Sequence, residues 1–262
     1  MPDADLITDD TRRRIVGRYG PDVEPWLGSL PSRLNRLAAK WQLRLGAVIP
    51  LGNMSVVVHC GDAVLKVSPD LARVADESRA LTEWSSTAHV PSVLAVDVDA
   101  GALLLEAVEP GTPLIETRVY PALADLADLF AALHVSSRGD YPSLSDRVEY
   151  LFEASGIVEG RQLARELVAT SRYDTLIHGD LTPRNVLLGG DRGLVAIDPA
   201  ACIGEPEFDA VDLVMWQASG REEMATRADR LGLDVPRTLA WCDAFTPMVE
   251  AEAEAAWQDG TT

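Results

Sequence analysis

The pattern of apolar and polar positions changes character several times along the 262-residue chain. Residues 22–45 open with turn signals. Ser32 then follows Pro31 as a candidate N-cap, and Leu34, Leu37, Ala38 and Trp41 fall at helical spacing, which predicts a leader helix over about 31–44. From 46 to 68 the period becomes two. The run GAVIPLGNMSVVVHCGDAVLKVS reads as a strand, a turn at Leu51-Gly52-Asn53, a Val-rich strand, a Gly61-Asp62 hairpin turn and a strand through Lys66. Residues 70–86 predict a helix capped by Asp70, and 93–108 predict two strands joined at Asp99-Ala100-Gly101. Pro110-Gly111-Thr112-Pro113 is the clearest break in the chain. Beyond it the pattern is mainly helical. One amphipathic helix runs from Pro121 to His134 with Leu123, Leu126, Leu129, Phe130 and Leu133 inward. Others are expected over 145–153 and 158–170 and from Phe208 to the end, with short strands between 176 and 198. There is no internal repeat. The expectation is an α+β protein of two lobes. Residues 1–108 form a small lobe with an antiparallel sheet, and 109–262 form a mainly helical lobe.

Composition narrows this picture. No apolar run reaches the length of about 18 residues that a transmembrane helix needs. The opening stretch, acidic and then basic, does not resemble a secretory signal, so a cytoplasmic location is expected. Cys60, Cys202 and Cys242 lie far apart without zinc spacing and read as reduced, buried thiols. The formal net charge of −18 argues against nucleic acid and anionic membranes as partners, and suits a cationic small molecule. A monomer or weak dimer is expected.

The chemistry concentrates in Leu176–Asp198, LIHGDLTPRNVLLGGDRGLVAID. It reads as strand, polar turn, strand, turn, strand. The spacing H-x-D-x-x-x-x-N, followed by I-D after an apolar run, is the signature of a kinase catalytic loop and its metal-binding Asp. Asp180 is then the base that orients an acceptor hydroxyl and takes its proton. Asn185 and Asp198 are the metal ligands, and His178 braces the loop. A turn Asp or Asn by itself is commonly an Asx-turn former; the order and spacing together favour the catalytic reading.

Only Lys40 and Lys66 are lysines. Lys66 lies between apolar neighbours, where an ammonium is costly without a partner. The kinase reading sets it on nucleotide phosphates, held by Glu77, with Glu83 as the alternate. Gly52, Asn53 and Ser55 form a turn whose N–H groups and Ser55 hydroxyl could cap phosphates; a plain hairpin turn is the competing reading. Adenine would bond to the Glu106 carbonyl and the Val108 N–H, between Val64, Leu105, Leu187 and Ile197.

HGDLTPRNVLL followed by AIDPAACIGEPEFDAVDL resembles the aminoglycoside phosphotransferases, which have a protein-kinase-like fold. The resemblance is greatest to the streptomycin 6-kinase and hydroxyurea phosphotransferase branch. Asp198, Pro199, Gly204, Glu205, Pro206, Phe208 and Asp209 match that branch's run after the loop, and WLGSLPSRLNRLAAKWQLRL is similar to its leader helix. The resemblance implies ATP as donor, with GTP the open alternative. It implies Mg2+ at Asn185 and Asp198, and Asp209 as a brace of the catalytic loop. Two positions depart from protein kinases: Gly179 replaces the loop Arg and Thr182 the loop Lys. About ten residues separate Asp198 from Asp209, too few for a peptide-holding activation segment.

The resemblance also implies a polycationic acceptor held by carboxylates of the helical lobe. Candidates are Glu149, Glu205, Asp212, Asp243 and Glu250, with Trp216 as a stacking surface. The expected function is phosphorylation of a hydroxyl on an aminoglycoside-type antibiotic, streptomycin favoured. Hydroxyurea, another natural product or a primary metabolite is the alternative acceptor. A nucleotide-binding, non-catalytic pseudokinase that sequesters its ligand is the reading from another class. The presence of Lys66, Asp180, Asn185 and Asp198 speaks against it.

Overall fold

The chain begins its described structure with a helix that the apolar pattern does not announce. The computed structural model describes residues 8–49, 54–137, 139–171 and 174–258. Helix α1, Asp9–Tyr19, is capped by the Thr8 hydroxyl, which accepts from the Thr11 N–H. It buries only Thr11 and Ile15, so its hydrophobic stripe is one residue wide. Helix α2 spans Glu24–Trp41 rather than 31–44, and Pro31 lies inside it. Leu27, Leu30, Leu34 and Leu37 form one buried stripe on both sides of Pro31. That burial outweighs the bond lost from the missing Pro31 N–H. Gln42 ends the helix in a left-handed conformation.

The chain divides into two compact units, Met1–Ser86 with Pro91–Val108, and Thr87–Val90 with Glu109–Thr262. In the first, strands β1 (Val48–Ile49), β2 (Val56–His59), β3 (Ala63–Val67), β4 (Val93–Asp97) and β5 (Ala102–Glu106) form an antiparallel sheet in the order β1-β2-β3-β5-β4. Central β3 pairs Lys66 with Val57 on one side and Leu103 on the other. The sheet's Val56, Val58, Leu65, Val67 and Leu104 share a core with the α2 leucines. Helix α3, Leu71–Glu83, starts at Asp70, whose side chain accepts from the Arg73 N–H, and buries Val74, Glu77, Ala80 and Leu81. The turn at Leu51-Gly52-Asn53 lies outside the described residues, and with it the phosphate-capping expectation for Gly52.

The second unit contains α4 (Leu114–Thr117), α5 (Leu123–Leu133), β6 (Val135–Ser136), α6 (Leu144–Ser155), α7 (Arg161–Thr170), β7 (Thr175–Ile177), β8 (Val186–Leu188), β9 (Leu194–Ala196), β10 (Cys202–Gly204), α8 (Pro206–Asp209), α9 (Val211–Met215), α10 (Arg221–Arg230) and α11 (Val235–Gln258). Strands β10-β7-β6 form one small sheet and β8-β9 another. The short β6 and β10 carry too few residues for a periodic signal. Helix α7 starts at Arg161 rather than Val158, because Gly160 takes φ +84° where a Cβ would meet the Ala244 carbonyl. The core joins α6, α7, β10 and α11 through Val148, Phe152, Ala164, Cys202, Trp241 and Phe245. Cys60, Cys202 and Cys242 are free and buried; burial pushes the Cys242 thiol up to about 12.

Residues 87–90 pack with this second unit. Arg192 donates to the carbonyls of Ala88 and Val90, His89 Nδ1 donates to the Leu194 carbonyl at 2.7 Å, and the Ala196 N–H donates to His89. No helix among the described residues is long and apolar enough to cross a membrane.

Candidate active site

Strand β7 runs into His178-Gly179-Asp180, and β8 begins just after Asn185, so the polar turn is held at both ends by sheets. Asn185 Nδ2 donates to both the carbonyl and Oδ2 of Asp180 at 2.9 Å. That leaves the Asn185 amide oxygen as the acceptor a cation can use. Asp198 follows β9 with φ +60°, a left-handed conformation that costs an Asp on the order of 1 kcal/mol. Backbone strain of this kind concentrates at functional sites.

Asp209, at the end of α8, fastens the loop from behind. It is 3 % exposed and accepts from the backbone N–H groups of His178 (2.6 Å) and Gly179 (2.7 Å). His134 Nε2 stands 3.1 Å from Oδ2, the oxygen that also takes the His178 N–H. Burial pushes the Asp209 carboxyl up. The His134 contact and the Gly179 N–H together outweigh this and hold it below the ordinary value. His178 is fully buried. Its Nε2 donates to the Ile197 carbonyl (3.0 Å) and its Nδ1 accepts from the Asp180 N–H (3.3 Å). Those partners need a neutral ring, and burial lowers its pKa accordingly. His178 is a brace with both nitrogens committed.

Gly179 has φ +75°, and a Cβ there would lie 2.2 Å from the Ala200 carbonyl oxygen. The position taken by Arg in protein kinases therefore has room for no side chain in this chain. Arg147 of α6, absent from the sequence expectations, reaches the same loop. Its Nε donates to the Gly179 carbonyl (2.6 Å) and its Nη2 to Asp180 Oδ1 (2.9 Å). Nothing in the spacing of the motif points to a residue 33 positions upstream.

In the first unit, Lys66 Nζ lies 2.8 and 2.6 Å from the two oxygens of Glu77, with both side chains buried. This is the partner expected over Glu83. Ser55 is 5 % exposed. Glu106 ends β5, its carboxylate accepting from the N–H and hydroxyl of Ser92; Val108 is half-buried. In the second unit, Leu187 is buried, pairs with Pro113 across an isolated bridge, and Ile197 is half-buried.

The acceptor candidates divide sharply. A cleft beside Asp180 is lined by Arg147, Thr182, Asp212, Phe245 and Met248, among others. Of the proposed carboxylates only Asp212 lines it. Glu149 sits elsewhere, bonded to Arg161 and Arg165, which hold its carboxyl down at about 2. Glu205 is fully buried and accepts from Arg237 and the Trp241 indole, so it is a core anchor rather than a surface for a ligand. Asp243 is paired with Arg221. Glu250 is exposed on α11. Trp216 lies outside this lining, its ring 5.9 Å from that of Tyr120 and its carbonyl accepting from Arg227. The acidic residues expected to meet a polycation are thus mostly committed to arginines of their own unit.

Glu207, outside that set, lies on α8. It is 3 % exposed, one oxygen accepts from the Asp234 N–H, and Oε2 meets no donor among the described residues. Burial first, and the charges of Glu205 and Asp234 after it, raise its pKa. A carboxyl raised on folding binds its proton more tightly in the native state, so its cost to stability grows as pH rises above its unfolded value of 4.5. Glu207→Gln is expected to stabilise the protein by about 1 kcal/mol at pH 7. The gain should vanish below about pH 4. Thermal melts at both pH values check this; an equal effect at both would assign the change to packing instead.

Comparison with known proteins gives the same family. A sequence profile described as aminoglycoside/hydroxyurea antibiotic resistance kinase matches residues 40–240. The chain is 34% identical over 229 residues to streptomycin 3''-kinase of Klebsiella pneumoniae, covering 76% of this chain and 82% of that protein. It is 30% identical over 252 residues to hydroxyurea phosphotransferase of Kitasatospora aureofaciens, covering 86% and 73%. Among solved structures, the streptomycin–ATP–APH(2'')-IIa ternary complex matches with a TM-score of 0.57 over 87% of this chain and 92% of that one, at 15% identity, a likeness of fold. The chain belongs to the aminoglycoside/hydroxyurea antibiotic resistance kinases, a family of ATP-dependent phosphotransferases with the protein-kinase-like fold.

Proposed function

We propose that the protein transfers the γ-phosphate of ATP to a hydroxyl of an aminoglycoside-type antibiotic, with streptomycin as the favoured acceptor. The observation that carries the transfer is Asp180. Its carboxylate lies at an open cleft and both its oxygens accept fixed hydrogen bonds, while Asp209 holds the backbone beneath it. Such a group orients an attacking hydroxyl and accepts its proton late in phosphoryl transfer. Lys66, paired with Glu77, is the cation for the nucleotide phosphates. Streptomycin is favoured by the 34% identity to a streptomycin kinase.

Asn185 and Asp198 would hold Mg2+. One amide oxygen and one carboxylate are hard donors suited to an ion that completes its shell with phosphate oxygens and water. When bound, the ion neutralises phosphate charge.

Hydroxyurea is a second acceptor. The relative named for it aligns with 86% of this chain, and of the carboxylates expected to meet a polycation only Asp212 lines the cleft beside Asp180. The deciding experiment is mass spectrometry of streptomycin, other aminoglycosides and hydroxyurea after incubation with protein and Mg·ATP. Streptomycin heavier by one phosphoryl group is the expected result. A phosphorylated product from hydroxyurea alone would displace streptomycin. Nucleotide binding without transfer to any compound would favour a pseudokinase.

A further inference from the structure

We infer that Arg147 is a positioning residue of the transfer reaction, fixing the rotamer of the Asp180 carboxylate from outside the catalytic loop; this rests on Asp180 being the base. The terminal torsion of an aspartate is soft and broad. Here it is clamped from both sides. Arg147 Nη2 holds Oδ1 and Asn185 Nδ2 holds Oδ2, each at 2.9 Å. Asn185 belongs to the loop itself and moves with it. Arg147 does not, so it supplies the external reference.

The helix that carries Arg147 is fixed to the sheet that carries the loop. A reciprocal cap joins Ser143 and Asp146 at the start of α6. The Ile203 N–H donates to Pro142 and β10 bridges Ser143. Strand β10 pairs with β7, Cys202 opposite Ile177, one residue before the loop. Leu144, Val148 and Phe152 anchor the other face of α6 in the core. Both ends of the Arg147–Asp180 link therefore hang from one sheet. The guanidinium matters as a shape. Its fork spans two acceptors, the Gly179 carbonyl through Nε and the Asp180 carboxylate through Nη2, and a single ammonium cannot hold the same geometry at both. The side chain is 10% exposed and lines the cleft, so its charge is little screened.

The test uses the full chain, its Arg147→Ala and Arg147→Lys variants, and an acceptor that the unmodified protein phosphorylates. Misplacing the base by a fraction of its reach should lower kcat about 10²-fold in Arg147→Ala, with KM for ATP changed less than about threefold. Arg147→Lys should fall between, and added free guanidinium should restore part of the Arg147→Ala rate and none of an Asp180→Ala rate. An Arg147→Ala kcat within about threefold of the parent, or a KM for ATP rising as steeply as kcat falls, would overturn the proposal. If the parent transfers phosphate to no acceptor, the reading of Asp180 as base fails instead. Hydrogen exchange at the amides of 179–182 then decides the positioning role by itself. Faster exchange in Arg147→Ala supports it, and unchanged exchange overturns it.

Discussion

Asp180→Ala should lower kcat by about 10³-fold while leaving the KM for ATP within a few-fold of the parent. The split follows from how the loop is held. Asp209 binds the backbone N–H groups of His178 and Gly179, and Asn185 also bonds the main-chain carbonyl of Asp180. None of those bonds needs the Asp180 side chain, so the loop should keep its path when the carboxylate is removed. Lys66 and Glu77, the proposed nucleotide groups of the first unit, are bonded to each other. Steady-state ADP release, with product mass as a second reading, measures the effect. Asp180→Asn keeps the shape and loses the basicity, and should be as slow. Turnover within tenfold of the parent in either variant would remove Asp180 from the role of base.

Gly179→Ala should be the most damaging single methyl group that can be added near the site. The residue has φ +75°, and the new Cβ would lie 2.2 Å from the Ala200 carbonyl oxygen. That oxygen cannot withdraw cheaply, because the Ala200 N–H donates to the His178 carbonyl and so ties the two segments together. Strained backbone and steric overlap together should cost about 3 kcal/mol. This corresponds to a fall of roughly 8 °C in Tm, accompanied by a loss of activity as Asp180 shifts. Gly156→Ala is the control. Gly156 also has positive φ, at +69°, but a Cβ there meets nothing within 4 Å, so its cost should stay near 1 kcal/mol. Equal Tm shifts in the two variants would refute the steric argument.

What was legible in the sequence depended on how local the cause was. Asp180, Asn185 and Asp198 lie in one continuous stretch, and their spacing announces them. Lys66 stood out because an ammonium between apolar strand neighbours needs an explanation, and the Glu77 partner lies 11 residues on, in the next helix. The strands of the first sheet and the cap of α3 follow from alternation and from Asp70. Long-range partners left no such trace. Glu205 looked like a surface carboxylate because Arg237, which neutralises it, is 32 residues away. The partners of Glu149, Arg161 and Arg165, are likewise on another helix. Arg147 reads as one more charged residue on α6 until the fold brings it to Gly179 and Asp180. Helix α2 starts seven residues before Pro31, which marks a boundary in local pattern alone, because a leucine stripe of four residues carries the helix through it.

Residues 87–90 bear on how this protein can be cut. The chain enters its second unit at 87, leaves it at 90 and returns at 109. A fragment ending at residue 108 would carry away the carbonyls of Ala88, His89 and Val90 while Arg192 and the Ala196 N–H stayed behind. A fragment starting at 109 would lack the Ala88 and Val90 carbonyls to which that guanidinium donates. Neither piece is a clean module for expression by itself. Split-protein reassembly should work best with both halves present, the four-residue strap of one re-forming its bonds to β9 of the other.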